Sequence, residues 1–415
     1  MNCHSQISSK EKAMTSSFAW VDFSEDDRDR MNKIMRLFAE KDTLDELGIG
    51  AVRDAIADHL FPGTSTIQTR ARYFFFVPWI YLRHEKRKTL SNEISNRAHN
   101  DEIKLIEVLL NTSDTDGVIG KDARSALQTL PSNIYWAGLG RFDIRRFDGS
   151  QDEYHRGFSS RLRLVADAVD GDDEDAPKPI RRNWDPNLPA APQDFPNTAE
   201  LALTSNEAEY LAMRIDALQP RPLFSLLIRK LGPFGNAAVP WLHPDVGALG
   251  EPYRSQLEHA RNFSETLHGA SLLYNLMLAE ALGSKEYIEQ YRTAFTEWAQ
   301  DLSARRAAIM GWDQLKFWDF VNESESRSDR SRPFIDKWLA ITLKSADPSL
   351  ILENNEARKL IREREWDTKQ NRARLHNRRA LERWRGATGA SQLNFRWHRV
   401  RAIVGDVRRG LGKEP

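Results

Sequence analysis

The residues best suited to chemistry are basic and lie near the C-terminus. Arg358, Arg362, Lys369, Arg372, His376, Arg379 and Arg383 mostly fall three or four apart, so on one continuous helix they would line a single stripe. Arg374, Arg378 and Arg385 flank it. Arginine presents a planar fork of donors, so its predominance over lysine favours paired contacts with phosphate or carboxylate oxygens over simple solvation. Gly386 and Gly389 then interrupt the helix ahead of Leu393-Asn394-Phe395-Arg396-Trp397-His398-Arg399-Val400-Arg401. There Arg396 and Arg399 alternate with Phe395 and Trp397, rings that can stack on bases or pack on a core while guanidiniums reach a backbone. From Glu356 to Pro415 seventeen Lys or Arg face seven Asp or Glu, a net of +10; the whole chain is neutral, so the first 355 residues carry about −10. The same stripe could be a solvated face, an anionic-lipid surface, or a strip that docks on the acidic remainder of the chain. Contact with nucleic acid requires guanidiniums free of internal carboxylates.

Four other constellations could carry chemistry. Pro62-Gly63-Thr64-Ser65-Thr66-Ile67-Gln68-Thr69-Arg70-Ala71-Arg72 feeds Arg70 and Arg72 from a small polar loop into an aromatic run, and hydroxyls, loop amides and guanidiniums all suit phosphate; the alternative is a helix start followed by core. The helix-helix-helix-strand order from Asp101 to Phe147 suits a winged helix-turn-helix, with Ser132, Asn133, Tyr135 and Arg141 facing DNA and Arg145 and Arg146 on the wing. Asp101, Glu102 and Lys104 form a nuclease-like fragment, although it reads as the start of a helix rather than a strand. Arg261, Glu265, His268, Ser271 and Asn275 make a polar stripe on a long apolar helix, which is a buried network or a site. Asp54, Asp58 and His59 read as the solvated face of a short helix rather than metal ligands.

No Gly-x-x-x-x-Gly-Lys-Ser/Thr loop, His-Glu-x-x-His, paired Cys-x-x-Cys or Gly-x-Ser-x-Gly elbow occurs, so P-loop phosphoryl transfer and ordinary zinc catalysis have no support. No catalytic residue, metal or cofactor is assigned. The one cysteine, Cys3, excludes an internal disulfide framework and fits a reducing, cytoplasmic setting. The longest apolar run, Tyr73 to Leu82, carries Pro78 and is about half a membrane span, so no membrane association is expected.

Positioning these residues falls to helices. The reading is mainly α and multi-helical: a flexible leader over 1–18, an N-terminal helical domain over 19–167, an acidic, proline-rich linker over 168–200, a second helical domain over 201–350, and a basic C-terminal helical segment over 351–415. In the leader, Met14 could serve as the start as well as Met1. A capped helix is expected from Ser24 through Phe38, followed by a capping box at Thr43 and Glu46. Val52, Ile56 and Leu60 mark a short helix ended by Pro62-Gly63. Asp170 to Asp175 holds five acidic residues in six, and Pro177 to Pro196 six prolines in twenty, which no helix can cross. Another capping box, Thr204 and Glu207, precedes Ala208, Leu211 and Ile215, and a long helix is expected from Arg254 to Leu282.

The stretch Phe61 to Phe74, the segment Pro131-Ser132-Asn133-Ile134-Tyr135-Trp136-Ala137-Gly138-Leu139, and the ending Leu393-Asn394-Phe395-Arg396-Trp397 resemble landmarks of an uncharacterised bacterial family, a domain of unknown function, over nearly the whole chain after Ala19. Such proteins resemble accessory components encoded among restriction and phage-defence genes. The resemblance implies a DNA-facing role in a multi-subunit system and transfers no catalytic residues. The expectation is therefore a non-enzymatic nucleic-acid-binding or scaffolding component of a defence or DNA-processing assembly, with protein partners. Two other classes compete: an interaction subunit whose basic tail docks on an acidic partner, and an unrecognised metal-dependent nuclease.

Overall fold

Several helices of this chain start at a side chain that accepts from the amides left over by the first turn, among them those that follow Ser150, Thr204, Ser284 and Asn354. The computed structural model describes residues 45–163, 182–322 and 330–415. The leader, Cys3, the expected helix through Phe38, Thr43 and the acidic part of the linker up to residue 181 lie outside them. The helices are α1 (Gly50–Leu60), α2 (Tyr73–Lys86), α3 (Ile94–Leu110), α4 (Pro131–Arg141), α5 (Gln151–Arg156), α6 (Ser205–Asp216), α7 (Leu223–Arg229) and α8 (Tyr253–Leu282). They continue with α9 (Lys285–Ala304), α10 (Arg306–Met310), α11 (Gln314–Asn322), α12 (Arg332–Lys344), α13 (Asn355–Lys369), α14 (Arg378–Leu381) and α15 (Trp397–Gly410). No β-strand occurs among the described residues, so the protein is mainly α and multi-helical.

Asp45 holds the start of α1: its carboxylate accepts from the amides of Ile49 at 2.7 Å and Gly50 at 2.8 Å. At α6 the expected box forms, with Thr204 and Glu207 each accepting the other's amide. The 30-residue α8 matches the long helix read from the sequence and carries the packing of α9, its nearest neighbour. Gly269 of α8 makes that approach feasible, since a Cβ there would lie 2.2 Å from the Trp298 ring. The helix expected near Lys121 to Leu130 is reduced to a 3-10 turn, Arg124–Ala126, all of it exposed; it has no buried face to hold it.

Residues 182–200 form an extended strap. Trp184 stacks on Tyr81 with centroids 5.8 Å apart, Phe195 stacks on Phe76 at 5.8 Å, and the Trp79 indole donates to Pro189 O at 2.7 Å. Large aromatic bodies, not propensity, fix this proline-rich stretch. One hydrophobic cluster runs from Leu47 to Val407 and takes in residues from both sides of the strap.

Candidate nucleic-acid interface

The basic stripe does not sit on one helix. α13 ends at Lys369, Gln370 turns the chain at φ 50°, a 3-10 turn covers Gln370–Arg372, and α14 is only four residues long. The turn is pinned from inside by Glu365, which is fully buried and accepts from the amides of Arg374 at 2.8 Å and Leu375 at 2.9 Å and from the Tyr274 hydroxyl at 2.5 Å. Two freed backbone donors have found a carboxylate, and the helix cannot continue past them.

The arginines and lysine named from the C-terminal sequence fall into two groups, with members of each on both sides of that break. In the first, Arg358 bridges to Glu280 at 2.7 Å. Lys369 contacts Glu46, which also pairs with Arg374 at 2.9 Å and accepts from the Thr388 hydroxyl. Burial lowers the pKa of the Lys369 ammonium, and the nearby Arg374 charge adds to this. Arg396 reaches Asp58 at 2.6 Å and Thr64 O at 2.7 Å, and Arg399 donates to Thr66 O at 3.0 Å. Trp397 is 1% exposed, packs on Phe61 and Phe234, and donates to Ala237 O at 2.9 Å; it anchors α15 in the core and offers no face to a base. The expectation that these residues converge on one open surface is corrected: irregular backbone in a helical protein leaves carbonyls that need donors, and the guanidiniums supply them.

The loop proposed for phosphate is filled by the protein itself. Arg70, 8% exposed, binds Asp406 at 2.9 Å, Asp114 at 2.8 Å and Asp116 O at 2.8 Å. Asp406 also accepts from the Ala71 amide at 2.9 Å, so its carboxylate sits where an anion would approach the start of α2. Arg72 pairs with Glu207 at 2.9 Å and donates to Glu200 O at 3.0 Å. The Tyr135 hydroxyl accepts from the amides of Thr69 and Arg70 and donates to Arg70 O, closing the loop from behind.

The winged helix-turn-helix arrangement is not found. Ser132 and Tyr135 of α4 are buried, Phe142 to Phe147 makes only an isolated bridge, Arg145 with Trp184, and the Arg145 guanidinium lies 4.8 Å over the Trp136 ring. Arg146 pairs with Asp185 at 2.8 Å. Gly138 lets α4 touch the Gly63 loop: a Cβ there would sit 2.4 Å from Gly63 O.

Asp101, Glu102 and Lys104 are mid-helix on α3 and point to different partners. Asp101 binds Arg83 at 3.1 Å and His84 at 3.2 Å, and Lys104 reaches Asn197 at 2.6 Å. Glu102, 1% exposed, accepts from the Ser132 amide at 2.8 Å and hydroxyl at 2.7 Å at the N-terminus of α4. Burial pushes the pKa of Glu102 up to about 7 against those two hydrogen bonds. No group of three or more potential metal ligands occurs among the described residues.

The polar stripe of α8 is a network, as its blander reading had it. Ser264 donates to Leu393 O at 2.7 Å, His268 meets Ala390 O at 3.0 Å, and Asn275 exchanges hydrogen bonds with Thr388 at 2.9 and 3.0 Å. Together they stitch the irregular stretch 386–393 to the helix, and burial drives the pKa of His268 down to about 4. A cavity of about 30 Å³ adjoins this network beside Asp45, Glu46, Ser271 and Tyr274; it is large enough for water and too small for a nucleotide.

The second group is different. Arg362, Arg372, Arg379 and Arg383 are exposed and make no hydrogen bond or ion pair among the described residues, and Arg385 beside them is exposed too. Within the same segment Trp366 is 39% exposed, the one aromatic among the exposed large hydrophobic side chains described, and its ring lies 5.0 Å from that of exposed His376. Sequence reasoning missed Trp366. Its signal was its register: the buried face of α13 runs through Ala357, Leu360, Ile361 and Glu365, and Trp366 lies off that face, one turn beyond Arg362.

An exposed aromatic, with exposed arginines before and after it in sequence, thus stands on the helical part of the described residues. The chain belongs to a family of unknown function (DUF6361), which it matches over residues 15–409. No curated protein matches it, and no solved structure does. No helix among the described residues is long and apolar enough to cross a membrane.

Proposed function

We propose that this protein is a nucleic-acid-binding or scaffolding component of a bacterial defence or DNA-processing assembly, and that it meets phosphate through Arg362, Arg372, Arg379 and Arg383. One observation carries the reading: these four guanidiniums, all between Arg362 and Arg383, stay in solvent without an acceptor among the described residues, whereas Arg358, Arg70 and Arg399 are tied to the chain's own carboxylates and carbonyls. Free guanidiniums suit bidentate contact with phosphate oxygens, and such contacts release counterions.

Fluorescence anisotropy with labelled oligonucleotides over a salt series tests it. Micromolar or tighter binding is expected at low salt, with log K falling against log salt by roughly 0.7 to 0.9 per phosphate contacted. The triple variant R372E/R379E/R383E loses that binding. A wild-type protein that binds no nucleic acid at low salt ends the proposal, and a triple variant that binds as well as wild type moves the contact elsewhere.

A further inference from the structure

We infer that the surface around Trp366 takes single-stranded rather than duplex nucleic acid, an inference that rests on the reading just given and names its ligand. The geometry starts with the reversal at Gln370. Because the chain turns back there, His376 returns onto the indole of Trp366, centroids 5.0 Å apart and planes inclined at 54°. The contact steadies the ring while leaving 39% of the tryptophan in solvent. An indole otherwise earns its place by burial, and here the nearest apolar face, Leu360 and Ile361, is already inside without it.

The exposed arginines lie before and after Trp366 along the chain. Arg362 lies one helical turn before Trp366, Arg372 just past the reversal, and Arg379 and Arg383 follow in and after α14. Acidic side chains are interspersed: Glu363 is 3.7 Å from Lys359, Glu382 pairs with Arg378 at 3.2 Å, and Asp367 is exposed beside the ring. The positive potential therefore comes from separate guanidiniums rather than from one dense patch.

A duplex gives such a surface little to hold, because its bases stack on one another and present only their edges in the grooves. An unpaired base has a free face for the indole, while the arginines follow the phosphates on either side. Every base has that face, so the platform is indifferent to sequence.

The decisive experiment compares four ligands of equal length by anisotropy: single-stranded DNA, single-stranded RNA, blunt duplex DNA, and a single strand with abasic sites at its centre. Wild type is expected to prefer the two intact single strands. W366A should lose about 5- to 150-fold on them, the range of one stacked base, and should bind the abasic strand as wild type does. W366F restores much of the loss, and matching circular dichroism spectra for all variants exclude misfolding as its cause. Duplex binding as tight as single-strand binding, or W366A binding intact strands like wild type, overturns the inference while charge reversal still supports the phosphate contact. Absence of binding to all four ligands removes both.

Discussion

Arg70 and Arg383 mark two regions that the same residue type serves in opposite ways. Around Arg70, guanidiniums meet Asp406, Asp114 and main-chain carbonyls and the side chain is all but withdrawn from water. Arg362, Arg372, Arg379 and Arg383 instead stand in solvent, in the segment that also carries the exposed indole of Trp366. The difference teaches that a count of basic residues says little about function in a helical protein with long irregular connections. The guanidiniums of Arg364, on Leu47 O and Gly48 O, and of Arg408, on Leu227 O and Gly232 O, donate to carbonyls that no helix satisfies. Only the arginines left over from that task are available to a ligand.

The sharpest way to break the contrast is Asp406→Ala. It leaves Arg70, in a nearly dry site, with Asp114 as its one carboxylate and frees the Ala71 amide, so a loss of about 3–5 kcal/mol in urea unfolding is expected. A loss below 1 kcal/mol would mean that the Arg70 region is as solvated as the Arg383 region. Gly138→Ala comes next: its methyl group must displace the Gly63 backbone, at a cost of about 1–3 kcal/mol, read as a lowered melting temperature.

Glu102 sharpens the buried side through pH. Its folded value of about 7 stands above the ordinary 4.5, so between those values the native state holds a proton that the unfolded chain has released. Its stabilising contribution is complete below pH 4.5 and is lost as pH rises through about 7. Glu102→Gln, which keeps a donor and cannot ionise, should flatten the decline in stability over that window; an unchanged pH profile would show the carboxyl to be ordinary. The smallest expected effect belongs to the exposed side: R372E/R379E/R383E should shift folding stability by no more than about 0.5 kcal/mol, because these side chains hold nothing in place. If the triple variant unfolds as readily as Asp406→Ala, the two regions are alike and the exposed surface has a structural role.

Local features of the sequence carried much of the fold. The capping residues Thr204 and Glu207, the end of α1 before Pro62-Gly63 and the span of α8 were legible because each depends on residues within a turn or two. The continuity of the basic stripe was not, since the break at Gln370 depends on Glu365 meeting the amides of Arg374 and Leu375 and on Tyr274, some ninety residues earlier. The winged arrangement failed for a similar reason: Tyr135 and Arg145 have partners on Arg70 and Trp136 that no periodicity announces.

The sequence by itself determined that helices dominate, where α6 and α8 begin, and that arginine accumulates near the C-terminus; propensity, caps and composition are properties of short stretches. Which arginines are spent inside was settled only by the tertiary structure. A guanidinium goes to whichever acceptor folding brings within 3 Å, and Asp406 beside Arg70, like Asp58 beside Arg396, is brought there by chain more than three hundred residues away.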